Sequence, residues 1–393
     1  MNNTFENGKL ILKQLNDSGY EAYFVGGVVR DQLLNRPTSD IDITTNATPP
    51  QVQAIFDKTI LTGKAFGTIT VLIDKIPYEV TTYRHDMKYD NHRHPTNIKF
   101  AKTLKDDLSR RDFTINQLTM DVDGNVYDYF NGKQDLTAKI IQTIGNPYKR
   151  FEEDALRILR AFRFAATLAF TIEDNTLNAI KDTTHLIRKI STERVQDELF
   201  KLLNGDSTAY VIDKIIETNT HKALYLEKGF LTLNTLKTND YNATEALVMM
   251  QKDEAFPFDK YHFSNKLIKH IQTITQLHQA TYKKGFTPMQ VFSYELDDVL
   301  RANRVNILRG DIDRKKSIYA LNDTLPIKTP KSLAFKGNDI KKHLDLDTNA
   351  QISTILHALI TSVVSGEVEN DFTTLKTHAK KILKDLKDRD HYA

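Results

Sequence analysis

The chain has 393 residues, 40% hydrophobic and 27% charged, an ordinary globular composition with room for about two to four domains of roughly 100–200 residues. Its net charge is only +3, so any nucleic-acid surface must come from local clustering of the 54 Lys and Arg. The absence of cysteine excludes disulfides, thiolate chemistry and cysteine-based zinc sites. No apolar run nears the roughly 18 residues that span a bilayer, and the start MNNTFENGKL lacks the apolar core of a signal peptide, so a cytoplasmic protein with no membrane contact is expected.

Residues 1 to about 145 mix strand and helix signals. Leu10–Leu15 belongs to an opening helix, and Tyr20–Val25 reads as the first strand. Gly26-Gly27 follows, then a helix-like stretch, Val28–Leu34. Asp40–Thr44 is the second strand. Ala65–Asp74 and Pro77–Tyr83 read as two strands joined by a tight turn at Lys75-Ile76. Arg84–Asn97 has no apolar periodicity and is expected to be a mobile loop. Leu104–Leu118 reads as a helix, and Val126–Phe130 as a short strand before Asn131-Gly132. From Phe151 onward strand signals fade and helical periods dominate: Asp154–Leu168, Asn175–Leu186, Glu193–Leu203, Thr208–Thr218 and several more. Pro326 and Pro330 mark a junction near 310–335, and Leu375–Arg389 is a lysine-rich amphipathic helix. The pattern predicts an α+β N-terminal head, a small mixed sheet with helices, followed by an elongated all-α remainder.

Asp40-Ile41-Asp42 begins 13 residues after Gly27. Side chains on a strand alternate faces, so Asp40 and Asp42 project together. Two adjacent carboxylates repel unless a cation sits between them, and oxygen-only ligands suit Mg²⁺. Glu79, on a neighbouring strand with Thr81 and Tyr83 on its face, would complete a carboxylate cage. Metal ions held about 3.5–4 Å apart activate an attacking hydroxyl and stabilise a leaving pyrophosphate. A solvated Asp-x-Asp at a strand end, with Glu79 exposed on an edge strand, is the alternative. Glycines at 26 and 27 allow close backbone approach, and Arg30, one turn into the helix, can reach a triphosphate. Asp40 and Asp42 thus become metal-ligand candidates, and Gly27 and Arg30 nucleotide-binding ones.

Arg110-Arg111-Asp112 reads as the opening of an apolar helix able to hold phosphate or sugar. Asp112 is there either a cap or a ribose contact, and a surface basic pair is the bland alternative. In Asp154–Phe164, Leu156, Leu159 and Phe162 form an apolar stripe, while Asp154, Arg157, Arg160 and Arg163 recur every three residues. An ordinary amphipathic helix rarely places one acid among three arginines in this way. A carboxylate only accepts hydrogen bonds and a guanidinium only donates. Cytosine and adenine each offer an amine donor beside a ring-nitrogen acceptor, so Asp154 with Arg157 fits both. Uracil and guanine meet the pair with both bonds mismatched, and buried unpaired groups discriminate strongly. His85, His92 and His94 with Asp86 and Asp90 resemble a metal site less than a polar loop that reshapes a nucleotide pocket.

Four stretches together resemble the bacterial class II tRNA nucleotidyltransferases, or CCA-adding enzymes, of the polymerase-beta-like nucleotidyltransferase superfamily: GGVVRD (26–31), DIDITTNATP (40–49), RRDFTIN (110–116) and EDALRILRAFRF (153–164). The match in order and spacing covers residues 20–200; beyond about 205 it is general, although LPIKTPKSLAFKGNDI (325–340) is similar to that family's tail. The resemblance implies a catalytic head (1–148), a base-reading neck (149–205), a helical body (206–310) and a tRNA-binding tail (311–393). It implies Mg²⁺ on Asp40 and Asp42, the incoming ATP or CTP on Gly27, Arg30 and Arg111, and base reading by Asp154 and Arg157. Arg160 and Arg163 would support the pocket or hold phosphates, and residues 86–95 would form the flexible segment needed for the final A. The partner implied is tRNA, at its 3′ end and acceptor/T-arm region, and dimers occur in that family. Lysine and arginine clusters at 301–309, 314–316 and 376–387 could grip RNA phosphates, with a solvated basic face as the alternative for each. The rival functions are a poly(A) polymerase of the same superfamily, which would not use CTP, and a non-catalytic RNA-binding protein.

Overall fold

The structure is a computed structural model that describes residues 3–38, 40–63, 67–86, 89–90, 94–95, 98–251, 257–344, 346 and 348–390. The chain forms two compact units, one of residues 1–246 and 252–263, the other of 247–251 and 264–393.

The first unit begins with α1 (Asn3–Asp17), whose Ile11, Leu12 and Leu15 form a fully buried stripe. β1 (Ala22–Val25), α2 (Gly27–Leu33), β2 (Asp42–Thr45) and α3 (Pro49–Ile55) follow. Then come β3 (Thr59–Gly63), β4 (Thr68–Ile73), β5 (Ile76–Thr82), β6 (Arg84–Asp86), β7 (Tyr89–Asp90), β8 (His94–Pro95) and β9 (Ile98–Phe100). α4 (Leu104–Ser109), β10 (Thr119–Met120), β11 (Val126–Tyr127) and α5 (Gly132–Ala138) complete the head. Seven strands form one sheet in the order β11-β10-β1-β2-β5-β4-β3. All pairs are antiparallel except β2 with β5, which run parallel. Phe24, Ile43, Ile69, Val71 and Val80 fill the core, and Phe5 stacks on Phe24 at 4.7 Å. A smaller cluster, Val25, Tyr83, Ala101, Leu104 and Leu108, brings α4 to the sheet.

Several local expectations shift. The second strand starts at Asp42, with Asp40 just before it. The β4–β5 turn is Asp74-Lys75, both at positive φ (51° and 66°), the type I′ geometry whose twist matches a two-residue hairpin. β5 lies inside the sheet, so Glu79 is not on an edge, and Tyr83 is buried away from its exposed face. The helix expected over 104–118 stops at Ser109: Phe113 enters the core, its backbone bridges Thr143, and only a 3-10 turn at Thr114–Asn116 follows. Arg110 and Arg111 therefore close a helix rather than open one. Where a loop was expected over 84–97, β6 pairs with β9 and β7 with β8. His92 lies outside the described residues, so the metal reading of that histidine cluster falls there too.

Beyond the head, β12 (Ile140–Ile141) pairs in parallel with β13 (Thr171–Ile172), a pairing too short for periodicity to show. Between them lie α6 (Pro147–Glu153) and α7 (Leu156–Leu168). Asp154 caps α6 outside α7, so the three-residue series breaks at its first member. α8 (Asp174–Thr183), α9 (Thr192–Leu203), α10 (Thr208–Glu217), α11 (Thr220–Ala223), α12 (Glu227–Leu236) and α13 (Ala243–Met250) follow, all helical as expected.

The second unit holds α14 (Asn265–Thr281), α15 (Pro288–Ser293), α16 (Leu296–Leu308), α17 (Lys315–Thr324), α18 (Gly337–Leu344), α19 (Asn349–Val364) and α20 (Phe372–Asp390). Ile271, Ile274 and Leu277 of α14 are buried, as are Val299, Ala302 and Val305 of the adjoining α16. His278 bonds Asn306 between them at 2.6 Å. Among the described residues no helix is long and apolar enough to cross a membrane.

Gly205 tests the packing of the first unit. A Cβ there would lie 2.6 Å from the Ala166 backbone carbon of α7, next to the Ser207 N–H bond to the Ala166 carbonyl. Gly205→Ala should cost about 1–3 kcal/mol in denaturant unfolding. Gly337→Ala, whose nearest atom would be 3.6 Å away, should not destabilise.

Candidate active site

The inner strands β2 and β5 bring three carboxylates to the exposed face of the sheet. Asp40 and Asp42 are exposed, while Ile41 and Ile43 between and beyond them are buried, the alternation a half-buried strand requires. The parallel β2–β5 ladder sets Glu79 directly opposite Asp42, and Glu79 is exposed too. Surrounding protein desolvates the Asp42 carboxyl and pushes its pKa up; Arg111 opposes this, and Glu79 and Asp40 add to it. A carboxylate crowded by two others favours a bound cation. Among the described residues no three side chains of His, Asp or Glu form a ready-made metal-holding group. Two aspartates leave the other positions around a hard cation to water and phosphate oxygens, the usual habit of Mg²⁺.

Gly26, at φ 76°, makes the turn between β1 and α2; its N–H bonds the Leu118 carbonyl. A side chain there would meet Arg111 at 3.5 Å. Gly27 opens α2. Arg111 is tied to Asp107 at 3.4 Å, and its buried Nε has no partner. Burial pushes this guanidinium's pKa down, against the pull of Asp107. A buried donor without a partner, beside the glycine turn and the Asp42 carboxylate, suits an anion.

Arg30 is buried and committed. It grips Asp31 at 2.7 Å and donates to Asn116 at 2.7 Å. Asn116 donates to Asp112 at 3.1 Å, and Asp112 accepts from Arg160 Nε at 2.7 Å. Arg160 lies 3.7 Å from Glu198 of α9, which pairs with Arg163 at 2.6 Å. One polar chain thus runs from the glycine turn to α9. Arg30, Arg160 and Arg163 also surround one ring, Phe164, at 5.1, 5.3 and 3.9 Å. Burial alone would raise Asp112; the Arg160 guanidinium and the Asn116 bond overcome it and hold the carboxyl at about 2. Asp112 is therefore neither a helix cap nor an open ribose contact.

Asp154 accepts from the Leu156 N–H at 3.0 Å and pairs with Arg194 at 3.1 Å. Arg157 is buried; Nη1 donates to Glu153 (2.9 Å) and the Arg150 carbonyl (3.2 Å), and Nη2 to the Arg110 carbonyl (2.9 Å). A guanidinium has five N–H groups, so two remain. No side-chain bond joins Asp154 to Arg157 among these; each is held by other groups. Sequence reasoning missed Asp107, Asn116, Glu153, Arg194 and Glu198. Spacing carried a signal for two of them: Asp107 stands three and four residues before Arg110 and Arg111, and Glu153 four before Arg157.

Family models match three parts of the chain: the poly A polymerase head domain at residues 22–142, the RNA and SrmB-binding site of polymerase A at 169–227, and tRNA nucleotidyltransferase domain 2 at 242–379. The CCA-adding enzyme of Staphylococcus epidermidis is 35% identical over 93% of this chain and 95% of its own. That of Limosilactobacillus reuteri is 36% identical over 97% and 98%. The chain belongs to the CCA-adding enzyme family. The crystal structure of the Bacillus stearothermophilus CCA-adding enzyme in complex with CTP superimposes with a TM-score of 0.88, at 32% identity, over 99% of this chain and all of that one. The Thermotoga maritima CCA-adding enzyme complexed with tRNA shares the fold, with a TM-score of 0.66 at 19% identity. A mixed-sheet head with a helical remainder is thus the fold of this family, whose nucleotidyl transfer uses a divalent metal.

The Asp112–Arg160 pair generates a signed pH prediction. Because the folded carboxyl titrates near 2, its contribution to stability is complete above the unfolded value of about 4 and is lost as pH falls to about 2. Arg160→Leu should cost about 3 kcal/mol at neutral pH, and the gap from wild type should close as urea melts are taken from pH 4 down to pH 2.

Proposed function

We propose that the chain adds C, C and A in turn to the 3′ end of tRNA, from CTP and ATP and without a nucleic-acid template, releasing pyrophosphate. The observation that carries this reading is the register of Asp42 against Glu79 beside Asp40, with the partnerless Nε of Arg111 close by. The cofactor we assign is Mg²⁺, held by Asp40 and Asp42; when bound it would lower the pKa of the attacking 3′-hydroxyl and offset charge on the leaving pyrophosphate. Glu79 adds negative potential opposite Asp42 and so strengthens cation binding. Gly27 and Arg111 take the triphosphate: the first by close backbone approach, the second with its free donor. Arg30 and Arg160 spend hydrogen bonds on protein, Arg163 pairs its charge with Glu198, and all three act by positioning that pocket.

The base is assigned to Asp154 and Arg157. Asp154 accepts from the exocyclic amine of cytosine or adenine, and the two remaining N–H groups of Arg157 face the ring nitrogen. Uracil and guanine reverse both bonds and leave two buried groups unpaired. The head (1–148), neck (149–205), body (206–310) and tail (311–393) are our proposed division of labour, with body and tail holding the acceptor and T arms of tRNA in the cytoplasm.

The test is extension of tRNA lacking its CCA end, with Mg²⁺ and each nucleotide alone and combined. Two C from CTP alone, then one A on adding ATP, is expected; a ladder of A from ATP alone would point to poly(A) synthesis instead. Asp40→Ala and Asp42→Ala should abolish extension while keeping the fold and much of the tRNA affinity, and normal turnover by either would remove the metal assignment. Arg157→Lys keeps the Glu153 ion pair but loses the planar fork. It should relax C and A preference over U and G by at least about tenfold, and an unchanged preference would remove Arg157 from base reading.

A further inference from the structure

Tyr225 is 52% exposed and sits at φ 57°, in the left-handed region. It ends α11 where glycine is usual: its N–H bonds the Lys222 carbonyl at 3.2 Å, and the Leu226 N–H bonds the His221 carbonyl at 3.0 Å. A large side chain there costs roughly 1–2 kcal/mol, and an exposed ring recovers little of it by packing. Two cations converge on that ring. The Arg188 guanidinium, from the 3-10 turn Thr184–Lys189, is 5.0 Å from its centroid. The Lys260 ammonium, from the 3-10 turn Phe258–Lys260, is 3.0 Å away. The second turn is tied to the end of α11, beside Tyr225, by the buried Tyr261, whose hydroxyl donates to the Leu224 carbonyl. Among the described residues, neither Arg188 nor Lys260 forms an ion pair, and both are exposed.

Three separate elements thus bring two cations, neither paired with an acid among the described residues, to one strained aromatic ring. Like charges repel, and the ring quadrupole offsets only part of that. An anion placed across both would remove the rest, and guanidinium and ammonium are the cationic side-chain groups that most often hold phosphate. We propose that Arg188, Tyr225 and Lys260 form a phosphate clamp for the backbone of the tRNA substrate. The inference rests on the tRNA reading above and adds a specific contact to it. Arg188 supplies the directional donors, Lys260 a point charge, and Tyr225 the ring that both cations meet. A structured RNA is gripped largely through such sequence-independent contacts.

The test is fluorescence anisotropy of labelled tRNA lacking CCA, titrated with the full-length protein over a series of KCl concentrations. The double variant Arg188→Gln/Lys260→Gln should bind roughly tenfold more weakly, and its log K against log salt slope should be shallower by about 1–2. Tyr225→Gly relieves the backbone strain, so it should melt no lower than wild type and yet bind tRNA several-fold more weakly. That pairing of retained stability with lost affinity separates a binding role from a structural one. Wild-type affinity and slope in both variants would overturn the clamp and leave a solvated basic surface. Failure of the wild-type protein itself to bind tRNA would overturn the tRNA reading instead.

Discussion

A buried carboxylate stays ionised only if cations and donors replace the water it lost. Asp112 meets that demand with Arg160 and Asn116, and each of these is held in turn by a residue of another element. Asn116 fixes Arg30 of α2, and Arg160 approaches Glu198 of α9, which holds Arg163. Phe164 gives three of the arginines a shared apolar wall. The sheet, the glycine turn and the two helices α7 and α9 therefore have one relative placement in which every charge is paired. Losing one member leaves its partner buried and uncompensated, which costs more than the pair itself contributed. Such a network is a poor source of net stability and a strong source of uniqueness: it selects one arrangement of the parts that bound a nucleotide.

The carboxylates proposed as catalytic follow the opposite logic. Asp40, Asp42 and Glu79 face water with like charge, and Arg111 is the cation that acts on Asp42. Arg111 offsets only part of their mutual repulsion, and the remainder is available to a metal and a nucleotide. Asp107 and Asp112 are saturated by arginines, while Asp42 is left wanting one. Binding energy is concentrated where the protein left charge unbalanced, and rigidity where it did not.

The sequence made the head and the helices legible because their periods are long and clean. The Asp-x-Asp alternation, the Gly-Gly turn and the amphipathic stripe of Leu156, Leu159 and Phe162 each stated their own geometry. What stayed hidden was pairing. Nothing local announces that Asp42 lies against Glu79 across 37 positions, since a parallel ladder is a long-range choice. The helix over 104–118 failed because apolar spacing alone does not show that Phe113 leaves the helix to bridge Thr143. Strands of two residues, such as β10 and β12, are too short to carry a period at all. The arginines were visible as candidates, but whether a guanidinium faces substrate or a buried acid depends on partners such as Glu198, 35 residues from Arg163. Charge type was readable from the sequence and charge partner was not.

If Asp154 and Arg157 read the base as proposed, they do not by themselves set the order of synthesis. Three of the five N–H groups of Arg157 are tied to Glu153 and to the carbonyls of Arg150 and Arg110, which fixes the plane of its guanidinium. Asp154 is fixed by the Leu156 N–H and by Arg194. A pair held on both sides presents the same edge to every incoming nucleotide. It can exclude U and G, because the mismatch is in the pattern of donors and acceptors. It cannot rank C above A at one step and A above C at the next, because both offer the pattern it accepts. Moving Arg157 to make that distinction would break its bond to the Arg110 carbonyl, next to Arg111. The sequence of additions must therefore be decided by something that changes between steps, and in a reaction without a template the part that changes is the growing 3′ end. Selection of two nucleotides is then a property of the protein, and their order a property of the complex.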